Sequence, residues 1–454
     1  MSNTPRVIVV GGGFAGCEAA FQAARRGAAV TLHEMKPVRT SPAHRSADLC
    51  EVVCSNSLGS DSPESAPGLL KRELRALDSV VIASTEPHRV PAGQALAVDR
   101  DAFAAEVTRR VTATPGITVV RDEVTALPVE PGVPTIVATG PMTSDALAGS
   151  LRRIVGEESL YFYDAIAPIV TAESIDTSVA FRASRYDEGP GDYLNCPLAE
   201  AQYHAFVREL LAGETVPSKA FEAEKVFEGC MPVETMAARG PMTLAFGPMK
   251  PVGLVDPRTG RRPFAVVQLR QEDAAASLYN MVGFQTKLRY PEQKRIFRMI
   301  PGLEQAEFVR LGSLHRNVFL NAPRLVDEAL RVKAAPWLVL AGQMIGVEGY
   351  VESCAMGALA GIHAARLARG LAPLPPPRET ALGSLVHYLV ASDPRHFQPM
   401  NVNFGLLPEP PPGATVRKDE RRAHQLQRAE EAMRRWLGEV ATARQTAGRA
   451  EFHG

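Results

Sequence analysis

Two cysteines in loop-like surroundings are the residues of this sequence best suited to do chemistry. Cys54 sits in Val52-Val53-Cys54-Ser55-Asn56-Ser57-Leu58, a polar run with no hydrophobic periodicity after it. Cys230 sits in Phe227-Glu228-Gly229-Cys230-Met231-Pro232, held between a glycine and a proline. Loops carry a disproportionate share of functional side chains. A thiol there becomes reactive once a nearby cation or helix N-terminus favours the thiolate. The other cysteines read as small packing residues: Cys17, Cys50, Cys196, and Cys354 in a small-residue helix expected to pack against a cofactor. There is no C-x-x-C pair, and Cys50/Cys54 has no Cys-His cluster beside it, so no metal site is expected.

The second chemical signal is a glycine pattern. Gly11, Gly13 and Gly16 satisfy G-x-G-x-x-G directly after the apolar run Val7 to Val10, and small residues from Cys17 to Ala24 follow. The three glycines suit a tight turn, a close approach to a pyrophosphate, and contact between helix and strand. The helix N-terminus would present its amides to the phosphates. The next β-like segment, Ala29 to His33, ends at Glu34, where an acidic residue grips a ribose hydroxyl and disfavours a 2′-phosphate. FAD or NAD therefore fits better than NADP. FAD is favoured by a strand ending in Ala138-Thr139-Gly140. It is favoured too by a late strand–loop–helix in which Leu338 to Gly342 and Gln343 lead into Gly346-Val347-Glu348-Gly349.

The elements that must position these groups follow from composition and pattern. The chain has 454 residues with 50 Lys+Arg and 50 Asp+Glu, an ordinary globular balance whose length implies about two or three domains. Six cysteines in such a chain read as reduced thiols, the start shows no basic-then-apolar leader, and a cytoplasmic location is expected. No apolar stretch reaches the roughly 18 residues of a membrane span. The expected fold class is α/β, a doubly wound (Rossmann-like) FAD-binding domain interrupted by a smaller mixed α+β insertion domain. The expected limits are 1–183 and 311–454 for the two parts of the FAD-binding domain and 184–310 for the insertion, which carries Cys230. A hairpin is expected where Lys250 to Val255 and Pro263 to Leu269 flank the turn Asp256 to Arg262. An amphipathic helix is expected from about Arg417 to Ala443, with Leu426, Ala429, Met433, Trp436 or Leu437, and Val440 as its apolar stripe.

Beyond these signals, longer blocks carry a family likeness. They include VVGGGFAGCEAA, CSNSLGSD, YLNCP, FEGCMPVETMAARG, AGQMIGVEGYVES and MNVNFGLLP, and they run from residue 7 to about 408. The chain resembles the folate- and FAD-dependent tRNA (uracil-5-)-methyltransferases, the TrmFO family. Its relative, the flavoprotein that helps modify wobble uridines in tRNA, is longer, and the FEGCMPVE and CSNS blocks favour the methyltransferase.

The resemblance implies methylation at C5 of a T-loop uridine in tRNA, with 5,10-methylenetetrahydrofolate as carbon donor, reduced FAD as hydride source, and NADPH or NADH as reductant. It implies Cys230 as the nucleophile that adds to C6 and Cys54 as the partner thiol and candidate base; the reverse assignment of the two stays open. His315, Arg316, Lys287 and Arg289, with Lys294, Arg295 and Arg298, are candidate contacts for phosphate or folate glutamate, against the reading of a solvated basic face. Glu348 and Tyr350 are expected near flavin or folate, and Asn401, Asn403 and Phe404 in the same cavity. No obligatory protein partner is expected. Other readings stand beside this one: the wobble-uridine relative, a structural flavoprotein that binds RNA, and a flavin disulfide reductase using Cys50 and Cys54 as its redox pair, with three residues between them. The balanced charge does not exclude RNA. Basic residues cluster at Arg258, Arg261 and Arg262, from Lys287 to Arg298, and along the last helix, and a loop substrate needs only a local positive track.

Overall fold

The computed structural model describes residues 4–41, 43–156, 160–185, 191–216, 231–410, 417 and 420–449. Its first sheet is centred on Arg6–Val10, where Val7 to Val10 are all buried, as a strand covered on both faces requires. This strand lies parallel between Ala29–Glu34 and Thr135–Val137. Ile117–Arg121 extends the sheet on one side, and Ala335–Leu340 on the other, both in parallel. The short antiparallel strand Arg331–Val332 closes one edge. The result is a Rossmann-like sheet whose central strands come from both ends of the sequence.

Two helices pack over this sheet with their backbones almost touching. A Cβ added at Gly357 of Tyr350–Leu367 would fall 2.2 Å from Ala15 O, and one at Gly361 would fall 2.3 Å from Ala19 O, on Phe14–Ala24. The small residues of the late helix therefore serve helix–helix approach. Cys354 faces the same way: its Sγ lies 3.6 Å from Glu18 Oε2 and from Ser79 Oγ, all buried, and it is absent from the cavity wall described below. The expectation that Cys354 packs against a cofactor is corrected accordingly.

A second, six-stranded antiparallel sheet has its own core, with Tyr203, Phe206, Phe284 and Phe297 buried in it. Its strands in spatial order are Phe181–Ala183, Tyr193–Leu198, Ala265–Gln271, Leu278–Met281, Ile169–Thr171 and Phe308–Arg310. Ile169–Thr171 lies before residue 184, so the inserted unit reaches further back than that position. Leu278–Met281 and Phe308–Arg310 both take their ladder partners from it. The two units are joined by an antiparallel ladder of Leu160–Ile166 with Ser313–Phe319. The expected hairpin is not formed, because Lys250 to Val255 makes no strand. Instead the turn closes on itself: Asp256 N–H donates to Arg261 O at 3.0 Å, and Arg258 binds the Asp256 carboxylate.

The last helix, Arg421–Arg449, lays Ala429, Met433, Trp436 and Val440 on the first core, the stripe its periodicity predicts. Trp436 is 1% exposed and donates its indole N–H to Leu374 O at 3.0 Å. Trp436→Ala is expected to cost roughly 3–5 kcal/mol through the cavity it leaves. A urea midpoint unchanged from wild type would show that this helix is not integral to the core. Among the described residues no helix is long and apolar enough to cross a membrane.

Candidate functional site

The glycine loop, Cys54 and the two central strands of the second sheet meet at one cavity of about 760 Å³, within the usual range for small-molecule sites. The loop's geometry follows from its glycines. Gly11 has φ +102°, and a Cβ there would meet Ala138 O at 2.6 Å, so the first turn and the Ala138-Thr139-Gly140 turn are pressed together. At Gly13 and Gly140 a Cβ would meet nothing within 4 Å: both turns leave open space in the cavity wall. Gly13 caps the helix Phe14–Ala24, whose first amides have no side-chain cap. That donor set fits a pyrophosphate-bearing cofactor.

Glu34 is buried beneath the loop. Its Oε2 accepts the Gly12 N–H at 2.7 Å and its Oε1 accepts the Lys36 N–H at 2.9 Å, so the carboxylate braces the glycine turn while lining the cavity. Gly342 and Gln343 reach the same wall, as does Glu348, whose Oε2 accepts from Gln343 Nε2 at 2.7 Å. Asn401 lines it too and donates to Glu348 O at 2.8 Å.

Other sequence candidates lie elsewhere. Gly16 holds the helix against the loop, below the cavity wall. Gly346 is a packing glycine at φ +91°, with the Phe397 ring 2.4 Å from where a Cβ would sit. Asn403 turns its carbonyl to Gly405 N–H at 2.9 Å, and neither it nor Phe404 lines the cavity. Lys287 gives its backbone N–H to Glu234, and Arg289 is exposed and 3.7 Å from Glu214. Arg295 is paired with Glu209 and Glu292. His315 and Arg316 are placed on the linking ladder, opposite Asp164 and Tyr163, and their side chains lie outside the described residues. Cys230 also lies outside the described residues; its successor, Met231, lines the cavity together with Met236.

Cys54 is half-buried in the wall, and its surroundings are built by residues far away in sequence. Its Sγ lies 3.0 Å from the Tyr350 hydroxyl, which also accepts the Val53 N–H at 3.0 Å and the Cys54 N–H at 2.9 Å. With both lone pairs so occupied, the phenol's own proton is left to donate to the sulfur. Tyr350 is fixed by stacking on Phe14, with ring centroids 4.5 Å apart, and burial followed by the neighbouring Cys54 thiol pushes its hydroxyl well above its ordinary range. Arg100 bonds to Val52 O and reaches Cys54 O at 3.4 Å while its Nη2 meets Glu272 at 2.6 Å. Arg270 grips Asn56 Oδ1 at 2.8 Å and Ser55 Oγ at 2.6 Å. Two guanidiniums thus flank the thiol loop. Cys50 is different: it is fully buried, absent from the wall, and its thiol is held far above its usual range by burial and by a hydrogen bond with Cys17. The disulfide-reductase reading loses its redox pair.

Arg100, Arg270 and Glu272 escaped the sequence reading. For Arg270 and Glu272 the available signal was the period-two run Gln268, Arg270, Glu272, which starts inside the strand Ala265–Gln271 and puts polar groups on one face; nothing in the sequence singled out Arg100.

Glu352, also in the wall and 6% exposed, accepts the Val402 N–H at 3.1 Å, and burial holds its carboxyl up at about 7. Because the folded form prefers the protonated acid, this stabilisation is complete below about 4.5 and is lost as pH rises through about 7. Glu352→Gln keeps a neutral acceptor. Its urea midpoint is therefore expected to gain on wild type steadily from pH 5 to 8, and a constant gap would refute this.

Among the described residues no group of His, Cys, Asp and Glu could hold a metal ion. Residues 6–372 match the family model described as glucose inhibited division protein A. The chain is 58% identical over 438 residues to the methylenetetrahydrofolate–tRNA-(uracil-5-)-methyltransferase TrmFO of Geobacter sulfurreducens, covering 96% of this chain and 100% of that one. It is 60% identical over 402 residues to the protein of that name from Pelotomaculum thermopropionicum, covering 88% and 92%. Among solved structures, GidA of Aquifex aeolicus in its form I crystal superposes with a TM-score of 0.70 at 18% identity, covering 96% of this chain and 76% of that one, a likeness of fold. Glycine loop, inserted antiparallel sheet and sequence identity lead to one conclusion: the chain belongs to the TrmFO family of methylenetetrahydrofolate–tRNA-(uracil-5-)-methyltransferases, within the wider glucose inhibited division protein A family.

Proposed function

We propose that this protein methylates C5 of a T-loop uridine in tRNA, using 5,10-methylenetetrahydrofolate and FAD. The observation that carries the reading is a single cavity that has the glycine loop on one side and Cys54, held by Tyr350, in its wall. Gly11 to Phe14, Glu34, the Ala138-Thr139-Gly140 turn, Gly342 and Gln343 would hold FAD there. When bound and reduced, FAD supplies the hydride that completes the methyl group, with NADPH or NADH as the reductant.

The protein's own residues do the rest. C5 of uracil is a weak nucleophile until a thiolate adds at C6 and pushes electron density onto C5. Cys230 is the residue assigned to that attack. Cys54, its sulfur accepting a hydrogen bond from Tyr350, takes the C5 proton after the carbon is transferred. Loss of that proton expels tetrahydrofolate from the transferred carbon and leaves a methylene on C5; once this is reduced to methyl, expulsion of the Cys230 thiolate from C6 restores the C5=C6 double bond. The apolar wall of Met231 and Met236 excludes water around the adduct. A splayed loop base must enter the cavity, so selectivity comes from the pocket rather than from reading a duplex groove. On this reading the protein is cytoplasmic, works on tRNA and folate, and needs no obligatory protein partner.

Incubating the yellow protein with NADPH, methylenetetrahydrofolate and an unmodified tRNA transcript should give 5-methyluridine on nucleoside analysis. Flavin-loaded protein that consumed NADPH without forming it would overturn the reading.

A further inference from the structure

Asn280 stands on Leu278–Met281 directly opposite Arg270 in the antiparallel ladder, and it lines the cavity. It is 2% exposed, yet among the described residues its Nδ2 finds no hydrogen-bond partner. The other buried asparagines near it behave differently. Asn56 Nδ2 donates to Val98 O and Gln271 O, and Asn195 Nδ2 donates to three carbonyls. A buried amide left unpaired costs roughly 1–3 kcal/mol, and such a group in a cavity wall calls for a partner that arrives with a ligand. Arg270, which faces the same cavity, has its Nε and one Nη2 donor engaged with Asn56 and Ser55.

An asparagine amide offers a donor and an acceptor side by side. Its complement is a lactam edge, in which a ring carbonyl stands next to a ring N–H. The same cavity wall carries Met231, Met236 and Val282, apolar side chains that suit the faces of a flat heterocycle. We propose that the Asn280 side chain is the hydrogen-bond partner of the lactam edge of a planar heterocycle lying beside Cys54, either the uracil of the substrate or the pterin of the folate. This rests on the function proposed above and assigns a specificity residue to it.

The test uses the full, flavin-loaded chain with Asn280→Ala and the isosteric Asn280→Asp, measuring KM for tRNA and the affinity for methylenetetrahydrofolate. Losing one such bond should weaken binding by about 5- to 100-fold, with flavin content and thermal midpoint retained. A raised KM for tRNA with unchanged folate affinity identifies uracil, and the converse identifies the pterin. If the alanine variant does not fold, the isosteric aspartate, which lacks the amide donor, carries the test. Unchanged binding of both substrates, or loss of flavin alone, overturns the proposal. Failure of the underlying function would appear in wild type as absence of 5-methyluridine. Failure of the Asn280 assignment leaves wild-type turnover intact and the variants equal to it.

Discussion

Replacing Cys54 by alanine is expected to lower 5-methyluridine formation by roughly 10²- to 10⁴-fold, the usual contribution of a positioned general base, while the purified protein remains yellow. The argument rests on proton counting at one hydroxyl. Tyr350 OH accepts two backbone N–H groups, at 3.0 and 2.9 Å, so its proton points to the Cys54 sulfur 3.0 Å away. A sulfur that accepts a hydrogen bond, in a loop flanked by Arg100 and Arg270, is favoured as thiolate. Cys54→Ser separates shape from basicity. The hydroxyl restores the contact with Tyr350 but does not ionise in the working range, so its loss should match that of alanine. Serine activity near wild type would mean that Cys54 shapes the pocket rather than moving a proton. Cys230→Ala is the companion measurement: if it retained both FAD and full methylation, the nucleophile assignment would fall. Neither substitution should alter the flavin spectrum greatly, since the glycine loop and the Ala138-Thr139-Gly140 turn are untouched.

The contrast between the two cysteine loops shows what a sequence can and cannot carry. The glycine fingerprint was legible because each of its consequences is local: a positive φ at Gly11, a helix opening at Phe14, an acid after the second strand. The thiol environment was not, because it is assembled across the chain. Tyr350 and Cys54 are 296 residues apart, and Arg270 comes from another sheet. Cys354 was misread for a related reason. A helix of small residues looks the same whether it approaches a cofactor or another helix, and only the position of Ala15 and Ala19 behind Gly357 and Gly361 decides it. The basic residues show a third kind of limit. Arg258 binds Asp256 two positions back, Arg295 binds Glu209 from far earlier in the chain, and Arg289 lies 3.7 Å from Glu214, so a count of positive letters overstates the free positive charge in these clusters. The hairpin expected around Asp256 failed on the same ground: good turn chemistry closes a turn, but strands need partners, and Ala265–Gln271 already had two.

Gly16→Ala is expected to give colourless protein with no measurable methylation. A Cβ at this position would lie 1.7 Å from Gly11 O, far inside any real contact, and the obstacle is backbone that cannot rotate away. The helix Phe14–Ala24 must then lift from the loop or the loop must leave the strand end. Lifting the helix is opposed by Gly357 and Gly361, which hold Tyr350–Leu367 against Ala15 and Ala19 on its other side. Moving the loop is opposed by Ala138, which already stands 2.6 Å from a would-be Cβ at Gly11, and by Glu34, which binds Gly12 N–H. Either escape scatters the amides that would face the pyrophosphate, so the loss falls on cofactor binding before it falls on any chemical step. Gly13→Ala provides the comparison, because a Cβ there meets no protein atom within 4 Å and the residue is already extended. That variant should fold with a wild-type thermal midpoint and lose flavin affinity only through the methyl group it projects into the cavity. Flavin titration of the two apoproteins distinguishes the cases: equal affinity for both would mean that the loop tolerates displacement and that Gly16 does not set its position.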